Sequence, residues 1–468
     1  MSIINRRSFI KGAGAVSGMA FTGVPLMGLN NSNPVAKKNK QIKITSVNSD
    51  FEREPLIRPF GFKGGYMTEI WQTVAQMTSD NQISKVGLCT QNVLWSDAKV
   101  FAGHSESGGN ALMYALTEYA LQRAQGMTFS DPVALLDEIL EDVYQHGIKI
   151  TGNPDLRKTF ALNALVGFDN AAWLLFAHEN GITDFDEMVP DAYKEGLNYQ
   201  HDKVASIPLM AYSIPISEIQ DAAEQGYFFM KIKIGQPGTQ EEMLEKDKAR
   251  LTAIHETLRK KRTPHTESGK LPYYFDANGR YESKETLLKL LDHAKKIGAF
   301  EQIAIIEEPF PEHLEIEVGD IGVRIAADES AHTDEDALKR IEMGYQAIAL
   351  KAIAKTLSMT MKIAQLAHEK NVPCFCADLT VNPILIDWNK NVAARLAPFP
   401  GLGGLGLLET NGHQNYLHWD RMESYHPYTS AEWRKTKQGV FELGKDFYNK
   451  DGGIFAQSDH YEKMFKHT

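Results

Sequence analysis

Cysteine is nearly absent: Cys89, Cys374 and Cys376 are the three in 468 residues, too few for a disulfide framework or a zinc site. Cys374 and Cys376 stand as C-x-C, which on a strand sends both thiols to one face. Nothing nearby supplies further ligands, so all three read as buried, unreactive thiols. Positive charge is also in deficit. Formal net charge is -10, from 50 Lys+Arg against 60 Asp+Glu, which argues against nucleic acid or an anionic membrane as partner and leaves room for a local basic site. No G-x-G-x-x-G phosphate loop follows an early strand. The glycine-rich PFPGLGGLGLLE (398–409) precedes a strand and reads as a turn.

What is present supports a large core. The chain is 43% hydrophobic, and its length predicts two or three domains. QIKITSVNSDFERE (41–54) reads as a strand, and residues 66–80, 110–125, 131–147 and 157–179 show helical spacing. Ser130 and Asp131 as caps, Pro132 in the first turn and Gly147 as a stop punctuate the third of these. From Ile207 the texture changes to short apolar strands alternating with helices. Strand candidates are 207–214, 228–234, 272–277, 303–309, 324–330, 347–353, 373–379 and 405–410. Such alternation predicts a parallel sheet, and eight units predict a closed barrel; an open doubly wound sheet is the alternative. The expected fold class is thus α/β: an α+β capping domain (43–200) followed by a modified TIM (β/α) barrel (201–415), with residues 416–468 returning to the cap. The segment 258–272 reads as an insertion.

The second strand candidate, FFMKIKI, holds Lys231 and Lys233 two residues apart, hence on one face, with Met230, Ile232 and Ile234 on the other. The next strands end in Asp276 and Asn278, Glu307 and Glu308, then Asp328 and Glu329, and the sixth carries Lys351. Barrel enzymes place their chemistry at these strand ends. Carboxylates from three successive strands repel one another unless a cation sits among them, and oxygen-only ligands suit Mg²⁺. Lysines beside such a cation suit removal of a proton α to a carboxylate. The metal and an ammonium stabilise the resulting charge, and a second lysine serves as base if a neighbouring ammonium lowers its pKa.

The motifs KIK (231–233), DANG (276–279), EEP (307–309), ADES (327–330) and Lys351, in this order, resemble the enolase superfamily in its mandelate racemase/muconate lactonizing enzyme group, and among these the two-lysine, dipeptide epimerase-like members. The resemblance implies Mg²⁺ on Asp276, Glu307 and Asp328, with Asn278 and Glu329 as partners of these ligands. Lys233 and Lys351 would be acid/base catalysts on opposite faces of a small-molecule carboxylate, and Lys231 would support the enolate. Glu307 is preferred to Glu308 because the family ligand stands two residues before the proline. Epimerases of the family offer an Asp-x-Asp pair in the eighth strand, where this chain has Glu409 and Asn411. Glu409 and Asp378 are candidates to receive an ammonium group. The cap stretches 58–69 and 91–110 are candidate specificity loops, with Phe60, Phe62, Tyr66 and Trp95 as walls.

The implied activity is Mg²⁺-dependent 1,1-proton transfer, an epimerase or racemase of a dipeptide or amino-acid derivative. The alternatives are a dehydratase or cycloisomerase of a hydroxy or sugar acid, and, more remotely, an exported binding protein without catalysis. Family members commonly form homo-oligomers. The N-terminal stretch with Arg6, Arg7, Phe9 and Lys11 resembles a bacterial twin-arginine export signal, so residues 1–42 are expected to be signal and linker and the protein periplasmic. Its apolar run is short and glycine-rich for a bilayer span, so no stable membrane anchor is expected.

Overall fold

The cap is built on β1 (Ile42–Phe62), which pairs antiparallel with β2 (Gly65–Ser79) for most of its length. A computed structural model describes residues 39–62 and 65–466; the twin-arginine-like segment lies outside the described residues. β3 (Ser84–Gln91) pairs with β2, and the two-residue β4 (Thr128–Phe129) with the start of β1. Residues 66–80 are therefore strand and not the expected helix. Met67, Ile70, Trp71, Val74 and Met77 are buried at helical spacing, but Gln72, Thr73 and Ala75 between them are buried too. A middle strand covered on both faces hides its period of two.

Helices α1 (Val93–Ser96) and α2 (Ala98–Ala124) occupy most of the stretch expected as a loop, capped by Asn92 and Asp97, with a break at Ser105. α3 (Pro132–Thr151) starts at the expected Asp131–Pro132 pair and runs past Gly147 to stop at Gly152, whose φ is 63°. A Cβ on Gly147 would sit 3.0 Å from Leu156 and 3.2 Å from Leu116, so this glycine serves helix packing. The single helix expected over 157–179 is two, α4 (Lys158–Ala164) and α5 (Val166–Asn180). α5 lies on the sheet so closely that a Cβ on Gly87 would meet the Gly167 carbonyl at 2.0 Å.

The second layer is a parallel sheet: β5 (Lys203–Ile207), β6 (Leu209–Met210), β7 (Lys231–Lys233), β8 (Tyr273–Asp276), β9 (Ile303–Glu307), β10 (Ile325–Ala327), β11 (Ala347–Leu350), β12 (Cys374–Cys376) and β13 (Gly406–Glu409). β5 pairs with β13, and β6 with β7. Only Pro208 separates β5 from β6, so one interrupted strand closes the ring. The first barrel strand is 203–210 in place of the expected 207–214. Pro208, without an N–H, marks the change of partner, and Pro215 opens the helix Ile216–Glu224. The hairpin of β14 (Thr436–Lys437) and β15 (Val440–Glu442) pairs antiparallel with the outer edge of β5. Helices follow most strands, but between β9 and β10 there is only a short turn, Glu312–Leu314. The 258–272 segment is a loop pinned by an Arg262–Lys270 bridge. All three cysteines are buried and free.

Contacts on two sides help to join the layers. The C-terminal segment lies along β1, where Leu417 N donates to the Pro55 carbonyl at 3.0 Å and Arg421 pairs with Glu54 at 2.7 Å. On the other side, Asp169 of α5 accepts from Ser358 N at 3.0 Å and Ser358 Oγ at 2.5 Å, at the start of the helix Leu357–Glu369. Burial pushes the Asp169 carboxyl up to about 7, against roughly 3.9 in an unfolded chain. The native state thus keeps a proton that the unfolded state has released, and this group's contribution to stability falls as pH rises through that window. Asp169→Asn removes the titration. Its stability penalty relative to wild type, measured by thermal unfolding, is expected to be smaller at pH 8 than at pH 5; an equal or larger penalty at pH 8 would refute the assignment.

Candidate active site

β7 sends Lys231 and Lys233 to the barrel interior, and the sheet register sets Lys233 beside Asp276 and Asp276 beside Glu307. Asp328 follows the end of β10, and Lys351 the end of β11. Short strands that stop at one level therefore carry every charge to the same rim. Asp276, Glu307, Asp328, Lys231, Lys233 and Lys351 are all buried.

Lys231 Nζ lies 3.1 Å from Asp276 Oδ2, 2.8 Å from Glu307 Oε1 and 3.2 Å from Glu409 Oε2. Burial pulls its ammonium pKa down, but the three carboxylates outweigh burial and hold it well above the usual lysine value. The mutual lowering expected of two adjacent ammonium groups is thus overridden at Lys231, because each positive charge meets a negative one at closer range. Lys233 Nζ donates to Asp276 Oδ2 at 2.5 Å and Asn278 Oδ1 at 2.6 Å. Burial pushes the Asp276 carboxyl up, yet Lys231 and Lys233 bring it down to about 2. Lys351 Nζ meets Asp328 Oδ2 at 2.5 Å and stands 4.4 Å above the Trp95 ring. Burial lowers the Lys351 pKa, but Asp328, Glu329 and Glu307 together hold it above the usual lysine value.

The carboxylates divide in a way the motifs did not indicate. One oxygen each from Glu307, Asp328 and Glu329 lie within 4.8 Å of one another, while Asp276 faces the lysines. Glu329, expected as a supporting partner, stands with this group, and its Oε2 is buried without a hydrogen-bond partner. Asn278 bridges the two sets, with Nδ2 donating to Asp276 Oδ2 at 3.2 Å and to Glu329 Oε1 at 2.8 Å. Glu308, at φ 41°, turns away from this group and accepts from Asp328 N at 2.8 Å and Ser330 Oγ at 3.0 Å. It braces the loop that presents Asp328.

Two residues escaped the sequence reading. Tyr274, two before Asp276 and so on the same face, donates its hydroxyl to Glu307 Oε2. Lys355, four after Lys351, donates to the carbonyls of Asp328 at 2.6 Å and Ala331 at 2.9 Å. Spacing was the available signal in both. Arg157, at the N-terminal end of α4, straps cap to barrel by donating to the Trp95 carbonyl at 3.1 Å, the Glu329 carbonyl at 2.7 Å and Glu312 Oε2 at 3.1 Å.

A cavity of about 40 Å³ opens on these groups, walled by Phe60, Phe62, Met67, Trp95, Leu209 and Leu379. It has room for a water or an ion, so a larger ligand has to part the wall. Tyr66, expected in that wall, is 66% exposed; strand alternation turns it away from the side that Met67 faces. Asp378, Glu409 and Asn411 line the cavity but are bound to one another. Asp378 Oδ1 accepts from Leu379 N at 2.7 Å, and Oδ2 from Asn411 N at 2.7 Å. Glu409 Oε2 accepts from Asp378 N at 3.0 Å, and Oε1 from Asn411 Nδ2 at 3.1 Å. His413 lies outside this cavity, edge-on to Trp419.

Residues 216–403, which span β7 to β12 and hold the lysines and the carboxylates Asp276 to Glu329, match the family described as Enolase C-terminal domain-like. The match lies within the barrel segment and covers less than half of the chain. No curated protein matches the chain. Among solved structures, an enolase superfamily member from Listeria innocua is similar at 16% identity with a TM-score of 0.61, over 91% of this chain and 97% of that one. A dipeptide epimerase from Enterococcus faecalis V583, complexed with Mg and L-Leu-L-Tyr, is similar at 17% identity and a TM-score of 0.58, over 86% and 98% of the two chains. An N-succinyl Arg/Lys racemase from Bacillus cereus is similar at 14% identity and a TM-score of 0.56, over 80% and 89%. These likenesses extend through the cap and establish a shared fold.

Asp378 serves as a backbone brace, since the N–H groups of Leu379 and Asn411, with Val381 at 3.3 Å, converge on its carboxylate. Asp378→Ala is expected to lower stability by about 2–4 kcal/mol in urea unfolding, as buried donors lose their acceptor. A change below about 0.5 kcal/mol, the usual size for an unengaged surface position, would refute that role.

Proposed function

We propose that the protein is an enzyme that removes and returns a proton α to a carboxylate, a 1,1-proton transfer by which an amino-acid derivative is epimerised or racemised. The observation that carries this reading is the placement of Lys233 and Lys351 on well-separated strands of one ring, against different aromatic walls. Lys233 Nζ stands 5.6 Å from the Phe62 ring, and Lys351 Nζ 4.4 Å from that of Trp95. Two amines so separated can take a proton from one face of a carbon and give one back on the other.

The residues fit a hard divalent cation such as Mg²⁺. Their donors are all oxygens, one from each of Glu307, Asp328 and Glu329 lies within 4.8 Å of the others, and Glu329 Oε2 is buried and unpartnered. Asp276, Glu307 and Asp328 would hold the ion, with Glu329 beside them. When bound, it would supply positive charge to the substrate carboxylate and so ease loss of the α-proton. Lys231, kept charged by its carboxylate neighbours, is placed to share that negative charge. Lys233 and Lys351 must leave Asp276 and Asp328 before either can accept a proton, so ligation of those carboxylates and release of the amines are coupled in this site. Residues 1–42 support export by the twin-arginine route, which replacement of Arg6 and Arg7 by lysine is expected to block.

In D₂O with Mg²⁺, a panel of dipeptides, N-acylated amino acids and sugar acids followed by NMR is expected to show deuterium entering at the α-carbon together with the opposite stereoisomer. Lys233→Ala and Lys351→Ala are each expected to reduce turnover by roughly 10²–10⁴-fold. Loss of the α-proton signal with new keto or vinyl resonances would replace this reading with a lyase. Mg²⁺ is expected to raise the melting temperature of wild type and to do so much less for Glu307→Gln with Asp328→Asn; an equal rise in both would remove these residues as ligands.

A further inference from the structure

Two stretches that the proposed reaction leaves unused meet at the other mouth of the barrel, where the strands begin. The 258–272 loop and the glycine-rich turn before β13 pack so closely that a Cβ on Gly403 would stand 3.0 Å from the Cα and the carbonyl oxygen of His265. With the starting ends of β9 and β10 they enclose an open hollow of about 840 Å³. Leu271, Val323 and Leu402 form the buried apolar part of its lining. Gln302, buried beside them, is engaged, with Nε2 donating to the Leu271 carbonyl at 2.8 Å. Glu267, Lys270 and Glu301 are exposed around it.

Arg324, in this hollow, is the group that the fold leaves without a counterpart. It stands just before β10, and strand alternation puts it on the same face as Ala326 and Asp328, so it enters the barrel from below, roughly 13 Å along the strand from Asp328. Its guanidinium carbon lies 5.1 Å from the centre of the buried Phe399 ring, which is edge-on to Phe375 at 5.8 Å. Arg324 is half-buried; burial lowers its pKa and no carboxylate raises it again. Other arginines drawn into the fold are provided for: Arg395 pairs with Asp186 and Asp451, Arg157 with Glu312, and Arg250 donates to the carbonyls of Ala211, Tyr212 and Ile214. A guanidinium partly stripped of water and given no counter-charge is costly, and an anion from outside would offset that cost.

We propose that this hollow is a second binding site, for an apolar monocarboxylate whose two oxygens pair with the Arg324 guanidinium and whose body rests on Leu271, Val323 and Leu402. Phe399 backs the guanidinium, and a planar carboxylate matches its fork of N–H groups. One buried-side cation is balanced by one negative charge, and the apolar lining favours a ligand with little else that is polar. The inference uses nothing of the proton-transfer chemistry and stands independently of it.

The test uses 4-benzoylbenzoate and 4-benzoylbenzamide, which share a photoreactive apolar body and differ in the charge of one end. Binding to the full chain is measured by calorimetry, and the site is located by ultraviolet cross-linking and peptide mapping. The acid is expected to bind at least tenfold more tightly than the amide, the loss of a charge-assisted hydrogen bond, and to cross-link within residues 266–272, 300–304, 322–324 or 400–402. Arg324→Gln is expected to weaken the acid at least tenfold and leave the amide unchanged. Equal binding of acid and amide overturns the inference, as does no binding of the acid at millimolar concentration, or cross-linking confined to the cavity walled by Phe60 and Trp95. Undiminished binding of the acid to Arg324→Gln overturns it as well. Should that variant fail to fold, the acid–amide comparison and the cross-link map on wild type decide the matter.

Discussion

Lys231 is the charge on which the centre of this molecule depends. Its ammonium sits among Asp276, Glu307 and Glu409, side chains delivered by β8, β9 and β13, while it comes itself from β7. Four strands are thus tied across the barrel interior through one nitrogen. A buried carboxylate without a counter-charge is costly, and several packed together are worse. The lysine makes the acidic rim tolerable where a cation does not, and leaves Glu307, Asp328 and Glu329 to meet one another. That balance also explains why the opposing lysines are each gripped by a different aspartate. The rim is a lattice of alternating charge.

Much of this was legible because a charge inside an apolar strand is conspicuous. Lys231, Lys233, Asp276, Glu307, Asp328 and Lys351 stand at strand ends that the alternation of β and α already marked, and they meet at one rim. Their division of labour was less visible, since it depends on rotamers and loop paths. Nothing in DANG or ADES says that Asp276 turns to the lysines while Glu329 joins the acidic group. Glu409 and Asp378 looked available for a ligand because sequence spacing does not reveal that backbone N–H groups already hold Asp378.

In the cap, errors arose where two periods overlap. Residues 66–80 satisfy a helical spacing and are a strand, since a fully covered middle strand buries both faces. Gly147 has the composition of a helix stop and acts as a close contact between helices. Gly152, five residues on, provides the left-handed turn. Phe60 and Met67 reach the cavity and Tyr66 does not, a distinction set by the parity of one hairpin.

The interrupted strand β5–β6 has a consequence for how the chain comes together during synthesis. Its first half finds partners only in β13 and β15, whose residues reach Glu409 and Glu442, more than two hundred positions downstream. Until that part of the chain has left the ribosome, β5 remains an unpaired edge. Contacts so distant in sequence form late and slowly, so the nascent barrel persists as an open sheet through most of translation and depends on cellular protection from aggregation until its last tenth appears.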